Sequence, residues 1–123
     1  IESWLTENKN LVMMSSSTEN GGLHSITHYQ TIKSIGRYTL LDFEMETRRK
    51  NQIRVHMQSI GHPIVGDKKY GAKNNPIKRI ALHGKELALK HPMTGQLLEF
   101  KSPLPKVMQQ LLTKPTATKE TIK

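Results

Sequence analysis

Cysteine is absent from all 123 residues. That excludes disulfides and thiolate metal sites, and it suits a reducing, cytoplasmic setting. Aromatic residues are scarce: two Phe, three Tyr and one Trp. With a hydrophobic content of 35%, the chain has material for a modest core, one domain or part of one. No apolar run approaches the roughly 20 residues that span a bilayer, and no secretory signal is visible. The first residue is Ile rather than Met, as expected of a cut or processed chain. Aspartate occurs only at Asp42 and Asp67, so a carboxylate pair dividing acid and base roles is not expected. A glycine-rich, phosphate-cradling loop is missing as well. The six histidines (His24, His28, His56, His62, His83 and His91) include no close pair at metal-binding helical spacing. No metal site and no cofactor are expected from them.

What the chain does have is positive charge, and nearly all of it in one place. Between Arg48 and Arg79 stand nine cations (Arg48, Arg49, Lys50, Arg54, Lys68, Lys69, Lys73, Lys78 and Arg79) and a single acid, Asp67. This stretch carries +8 of the chain's +9, and the rest is close to neutral. Charge concentrated in this way points to a polyanionic partner.

Hydrophobic periodicity orders the elements. Residues 1–12 read as a short extended or weakly helical entry, and Ser15–Gly22 as a polar loop. Ser25–Ile35 and Arg37–Thr47 are strands joined at Gly36, and the alternation in the second puts Leu41, Phe43 and Met45 on its buried face. Arg49–Ile60 is a helix capped by Thr47, with Ile53, Met57 and Ile60 on one apolar stripe. Gly61 suits a left-handed C′ position, and Pro63 blocks continuation. A short turn, Ile64–Asp67, leads into a basic loop. Arg79–Leu89 and Gln96–Lys101 read as strands separated by a turn at 91–95. Pro103–Leu112 forms a closing helix that faces Leu104, Val107, Met108, Leu111 and Leu112 inward. The expected fold class is α+β, a mixed, largely antiparallel sheet with packed helices. Residues 1–112 form the domain, and 113–123 a disordered tail.

Several side chains invite chemistry, and each has an ordinary reading beside it. Asp42 reads as solvated strand surface, and Asp67 as a turn-stabilising Asx residue. His56 reads as a packed or hydrogen-bonded helix residue, and His83 as structural. Arg48, Arg49 and Lys50 at the start of the helix oppose its dipole, a local cost of a few tenths of a kcal/mol that suggests another use. Arg54, set between apolar residues, is either a snorkelling surface arginine or a partly desolvated cation prepared for a fixed anion.

These residues also carry a family pattern. TRRKNQIRVHMQSIGHPIVGDKKYG (Thr47–Gly71) resembles the TGR-x-x-QIRVH…GHPI-x-GD-x-x-YG motif of the RluA-type RNA pseudouridine synthases. RIALHGKELALKHPMTGQLLEFKSPLP resembles that family's later R-L-x-LHA stretch with its closing PLP, and ITHYQTIK resembles the A-x-T-x-Y strand that precedes both. Together they cover about residues 23 to 112 in the family's order.

The resemblance implies isomerisation of uridine to pseudouridine in structured RNA, ribosomal or transfer, without metal or cofactor. It implies the C-terminal part of the catalytic domain, because the family's HRLD-type aspartate and its K-x-Y-x-A tyrosine have no counterpart here. Arg54 matches the active-site arginine that pairs with that aspartate. Ile53, Gln52 and Asn51 match residues near the uracil site, and Leu82 and Ile80 an apolar wall that reads equally well as plain core. Arg48, Arg49, Lys50, Lys68, Lys69, Lys73, Lys78 and Arg79 are expected to meet RNA phosphates. Arg48 replaces the glycine of TGR, and a positive φ there would strain it by roughly 1 to 2 kcal/mol. The alternative reading is a non-catalytic RNA-binding module using the same basic face. An anionic membrane surface is not supported, for want of a basic amphipathic helix with bulky apolar anchors.

Overall fold

In the computed structural model, residues 1–36, 38–84, 86–90, 93–94, 96–111 and 120–122 are described. Alternating polar and apolar residues at the start of the chain form two strands, β1 (Glu2–Glu7) and β2 (Met13–Ser16). Ser15 and Ser16, expected in a loop, therefore belong to a strand; Ser15 faces Leu5 across the ladder. The long β3 (Leu23–Ile35) and β4 (Tyr38–Met45) follow as the β-branched and aromatic content indicates. Gly36 between them takes φ 60, which only glycine adopts at little cost. The sheet order is β2-β1-β3-β4-β7, antiparallel except for the last pair, in which β7 (Glu120–Ile122) runs parallel to β4. A separate hairpin pairs β5 (Glu86–Lys90) with β6 (Leu97–Lys101). The architecture is α+β with a mixed, largely antiparallel sheet. Of the tail 113–123, only the three residues of β7 fall among the described residues. Leu112 and most of the 91–95 turn also lie outside them.

Strict alternation along β4 holds only in part. Leu41 is buried, but so is Tyr38 three positions earlier, while Phe43 and Met45 are half-buried. The β3 partner register slips between Thr31 and Lys33. A bulge of this kind adds twist and re-aims side chains, so one face of the ribbon no longer stays on one parity.

The helix α1 spans Gln52–Ser59, shorter than expected from sequence. Thr47 does not cap it. Its Oγ1 accepts from the backbone N–H of Ile26 and donates to Gln52 Oε1, so it is spent before reaching the first turn. The residue before the helix is Asn51, in the left-handed region at φ 54, a conformation that asparagine tolerates better than most residues. Arg48 is not among the residues with positive φ, so the strain considered for it does not arise. The C-terminus follows the sequence reading. Gly61 at φ 83 donates to Gln58 O, and His62 donates to Met57 O, the two bonds of a Schellman motif.

The buried face of α1 differs from the expected stripe. Ile60 is exposed and Ile53 half-buried, whereas Gln52, Val55, His56 and Met57 are buried. Met57 joins a cluster with Tyr38, Leu41, Ile64, Val65, Ala81, Met108 and Leu111. Val55 joins a second one with Leu5, Met13 and Tyr70. Between them the helix meets the sheet through polar groups. His56 Nδ1 pairs with Thr27 Oγ1 at 2.7 Å and Nε2 with Ser3 Oγ at 2.8 Å, and Ser15 Oγ donates to Ser3 Oγ. Gln52 Nε2 donates to Thr27 Oγ1 and to Ile26 O. Among the described residues no buried side-chain polar atom lacks a partner. A stripe sought by hydrophobicity misses such a face, because burial here is bought by hydrogen bonds.

The later segments are more irregular than expected. Arg79–Gly84 forms no strand; Ala81 is instead buried and donates its N–H to Val65 O at 2.8 Å. The closing helix α2 spans Lys106–Leu111, with Met108 and Leu111 inside, Leu104 packed beside them and Val107 exposed.

Two expected outcomes follow from this packing. His56 is fully buried, and burial pushes its pKa down to about 4. The unfolded chain therefore binds a proton on this ring from about pH 6.5 downward while the folded one does not. Stability is complete above that range and falls as pH drops to about 4, by on the order of 3 kcal/mol. Urea titrations at pH 7 and 4.5 should show a larger loss for the native chain than for His56→Gln; equal losses would contradict the assignment. Second, a Cβ at Gly66 (φ 82) would lie 2.2 Å from Arg79 O, while one at Gly61 (φ 83) meets nothing within 4 Å. Gly61→Ala is expected to cost about 1 kcal/mol, from backbone strain alone. Gly66→Ala should lower the melting temperature by clearly more, since it must also displace backbone; similar shifts for the two would refute this.

Candidate active site

Arg54 projects from the first turn of α1, the helix that also carries Val55 and Met57 into the two apolar clusters. Its side chain is 20% exposed. Nε donates to Asp67 Oδ2 at 2.9 Å and Nη2 to Asp67 Oδ1 at 2.8 Å, a bidentate fork. Nη1 donates to Asn51 Oδ1 at 3.2 Å, and the guanidinium carbon lies 4.8 Å from the centre of the Tyr70 ring. Of the two sequence readings of Arg54, the structure rejects the snorkelling one. Asp67's hydrogen bond raises the arginine above its ordinary pKa, outweighing the opposing effect of burial. The group is a permanent cation.

Asp67 is fully buried. It does not act as an Asx turn residue, since no side-chain cap bond is made at the start of the following single 3-10 turn, Lys68–Tyr70. The turn is made by backbone instead, with Tyr70 and Ala72 donating to Asp67 O. That leaves both carboxylate oxygens for Arg54. Gly66 at φ 82 brings the chain past Arg79 and sets Asp67 beneath the helix. Tyr70, also fully buried, completes the arrangement: its hydroxyl accepts from Met13 N at 3.0 Å and from Asn51 Nδ2 at 3.4 Å. The sequence reading gave Asp67 only a turn role and did not single out Tyr70. The available signal was Asp67 itself, the lone acid in a run of 32 residues with nine cations; an isolated acid there is most economically a partner for one of them.

The other expected site residues divide. Asn51 joins Arg54 and Tyr70 through both ends of its amide. Gln52 does not join them. It is 2% exposed and spends its amide on Thr47, Arg49, Thr27 and Ile26, so the expected contact with substrate is corrected to a tie between helix and sheet. Ile53, Ile80 and Leu82 are half-buried and pack against the larger apolar cluster. Ile80 and Leu82 lie in an irregular segment rather than the expected strand.

The basic residues surround this centre at different degrees of freedom. Arg48, Lys68, Lys69, Lys73, Lys78 and Arg79 are exposed. Arg49 donates from Nε and Nη2 to His24 O, and Arg79 from Nε and Nη2 to Ile80 O and Leu82 O. Lys50 pairs with Glu7 at 2.5 Å, an exposed contact of small net worth that a phosphate can displace. Lys69 donates to Leu11 O. Lys78 holds a left-handed backbone at φ 58. Among the described residues no group of three or more His, Asp or Glu is placed to hold a metal ion, and no helix is long and apolar enough to cross a membrane.

Comparison with known proteins gives this arrangement a family. The sequence model described as RNA pseudouridylate synthase matches residues 1–59. The chain is 39% identical over 97 residues to the RNA pseudouridine synthase slr1629 of Synechocystis, covering 76% of this chain and 30% of that protein. It is 38% identical over 110 residues to an RNA pseudouridine synthase of Chlorobaculum parvum, covering 76% of this chain and 34% of the relative. It is also 39% identical over 105 residues to the ribosomal large subunit pseudouridine synthase D of Haemophilus influenzae, covering 74% of this chain and 32% of that protein. The chain thus spans about a third of the length of the curated relatives it matches. With the α+β sheet and the three motifs in series, these similarities establish that the chain belongs to the RNA pseudouridine synthase family.

Proposed function

We propose that the polypeptide carrying this chain isomerises uridine to pseudouridine in structured RNA, ribosomal or transfer RNA, in the cytoplasm. Residues 1–112 are the C-terminal part of its catalytic domain. The observation that carries the reading is Arg54, a permanent cation at the edge of the core, held by three anchors in the middle of the chain's basic stretch. In the reaction the C1′–N1 bond breaks, the base turns, C1′ bonds to C5, the C5 proton leaves and N1 gains one. An aspartate from outside this chain supplies the carboxylate. Arg54 keeps it ionised and oriented, since a nearby cation in a desolvated site favours the charged form. The exposed cations around this centre supply phosphate contacts that position RNA without reading its sequence. The target base must leave its stack to reach a buried carboxylate.

Arg54→Ala is a poor test, because it would strand a buried Asp67, at a cost of roughly 3 to 5 kcal/mol. Arg54→Lys keeps the charge but cannot make the bidentate fork. In the full-length polypeptide, release of tritium from C5-labelled uridine in RNA should fall about 100-fold or more for Arg54→Lys, with RNA affinity changed less than about three-fold. Retained turnover would refute the role given to Arg54.

RNA binding should weaken with salt, log affinity falling with a slope of about 0.7 to 0.9 per phosphate neutralised. Removing Lys68 and Lys78 together should flatten that slope by about one to two. An unchanged slope would remove these lysines from the RNA surface.

A further inference from the structure

Arg54 faces an unusual demand in the proposed mechanism. It must orient a carboxylate from outside this chain, yet it already holds one. Five N–H groups leave a guanidinium. Three of them are committed here, two to Asp67 and one to Asn51. One N–H on each terminal nitrogen remains for a second acid. The plane cannot tilt to meet that acid, because the fork to Asp67 fixes it in one direction and the Tyr70 ring lies against it. Neither anchor can give way. Asp67 and Tyr70 have no exposed surface, and the Tyr70 hydroxyl is tied to β2 through Met13 N.

We infer that Asp67 is a positioning residue for catalysis, fixing the plane of Arg54 and offsetting its charge so that the arginine orients the reacting carboxylate more than it acidifies it. This rests on the isomerase reading above. An unopposed arginine within a few ångströms pulls a carboxylate's pKa down by one to three units, leaving a weak base and a weak nucleophile. A cation whose charge is already shared with Asp67 supplies the hydrogen bonds with less of that field.

The surroundings support the assignment to Asp67 alone. Around Arg54 the 3-10 turn brings Lys68, Lys69 and Tyr70 besides Asp67, and Lys69 Nζ sits 6.0 Å from the Tyr70 ring. The packed strand β2 has no titratable side chain. On β3, His24 and His28 are paired with Glu2 and Glu46. On α1 itself, His56 is turned to Ser3 and Thr27. Among the described residues, Asp67 is the one carboxylate paired with the guanidinium.

The test compares pH profiles of uridine isomerisation by the full-length polypeptide and its Asp67→Asn variant, with circular dichroism to confirm folding. Asparagine keeps the size but loses the charge and one acceptor. The turnover rate is expected to fall about ten-fold or more while KM for RNA changes less than about three-fold. The acidic limb should move to lower pH by at least about half a unit, because the reacting carboxylate then faces an unopposed cation. A merely structural Asp67 would not move that limb. An unmoved limb with unchanged turnover overturns the inference. If Asp67→Asn does not fold, Asn51→Gly takes its place, since glycine accepts the left-handed backbone and removes no charge, only the Nη1 anchor and the long 3.4 Å bond to the Tyr70 hydroxyl. It should lose several-fold in turnover without moving the limb, because no charge has changed; full turnover would overturn the positioning role. No isomerisation by the unmodified polypeptide would instead sink the functional reading itself.

Discussion

A buried carboxylate under a two-turn helix is the constraint around which this chain is organised. Asp67 has no contact with solvent, and an unpaired charge in that position would cost several kcal/mol. Its partner must come from the helix above it, must be cationic at all times and must fill two oxygens at once. Arginine alone meets all three conditions. The requirement propagates outward. Gly66 must adopt its left-handed turn to slip past Arg79, Tyr70 must stack beneath the guanidinium, and α1 must stay seated on the sheet through His56 and Gln52. The fold therefore holds Arg54 far more firmly than a surface cation would be held.

That seating is itself chemically specific. The helix contacts β1 and β3 through hydroxyls, an imidazole and an amide rather than through an apolar stripe. Each bond is directional, so the helix cannot rotate or slide without leaving a buried group unpaired. Two separate apolar clusters, one on each side, supply the non-directional part of the attachment. The consequence for function is precision. A residue placed by hydrogen bonds on one face and by packing on both flanks points the same way in every molecule, as electrostatic preorganisation requires.

The sequence made part of this legible. The strands β3, β4 and β6, the hairpin glycine Gly36, the left-handed Gly61, the α+β class and the concentration of charge could be read from period, turn chemistry and counting. The motif series pointed to Arg54 as the partner of an aspartate outside the chain, whereas the structure pairs it with Asp67. The reading faltered where burial is polar or long-range. Gln52 and Thr47 resembled substrate-facing and capping residues because their hydrogen-bond partners, Ile26 and Thr27, lie more than twenty positions away. Asp67 resembled a turn residue because its local sequence, Gly66-Asp67-Lys68, suits one, whereas its partner stands thirteen residues back on a helix. Ile60 entered the apolar stripe by spacing alone and proved exposed, because a hydrophobic pattern cannot register that His56 occupies the face toward the sheet.

The claim on which the account rests is that Arg54 is clamped by the chain's own acid. The most direct measurement is the nitrogen-proton spectrum of the arginine side chains in this chain. Arg54 should give a resolved Nε–H signal, shifted from the free-arginine position and slow to exchange with water at neutral pH, and the signal should return to the free position in Asp67→Asn. An Arg54 signal that coincides with those of the exposed arginines and exchanges as fast as they do would contradict the account.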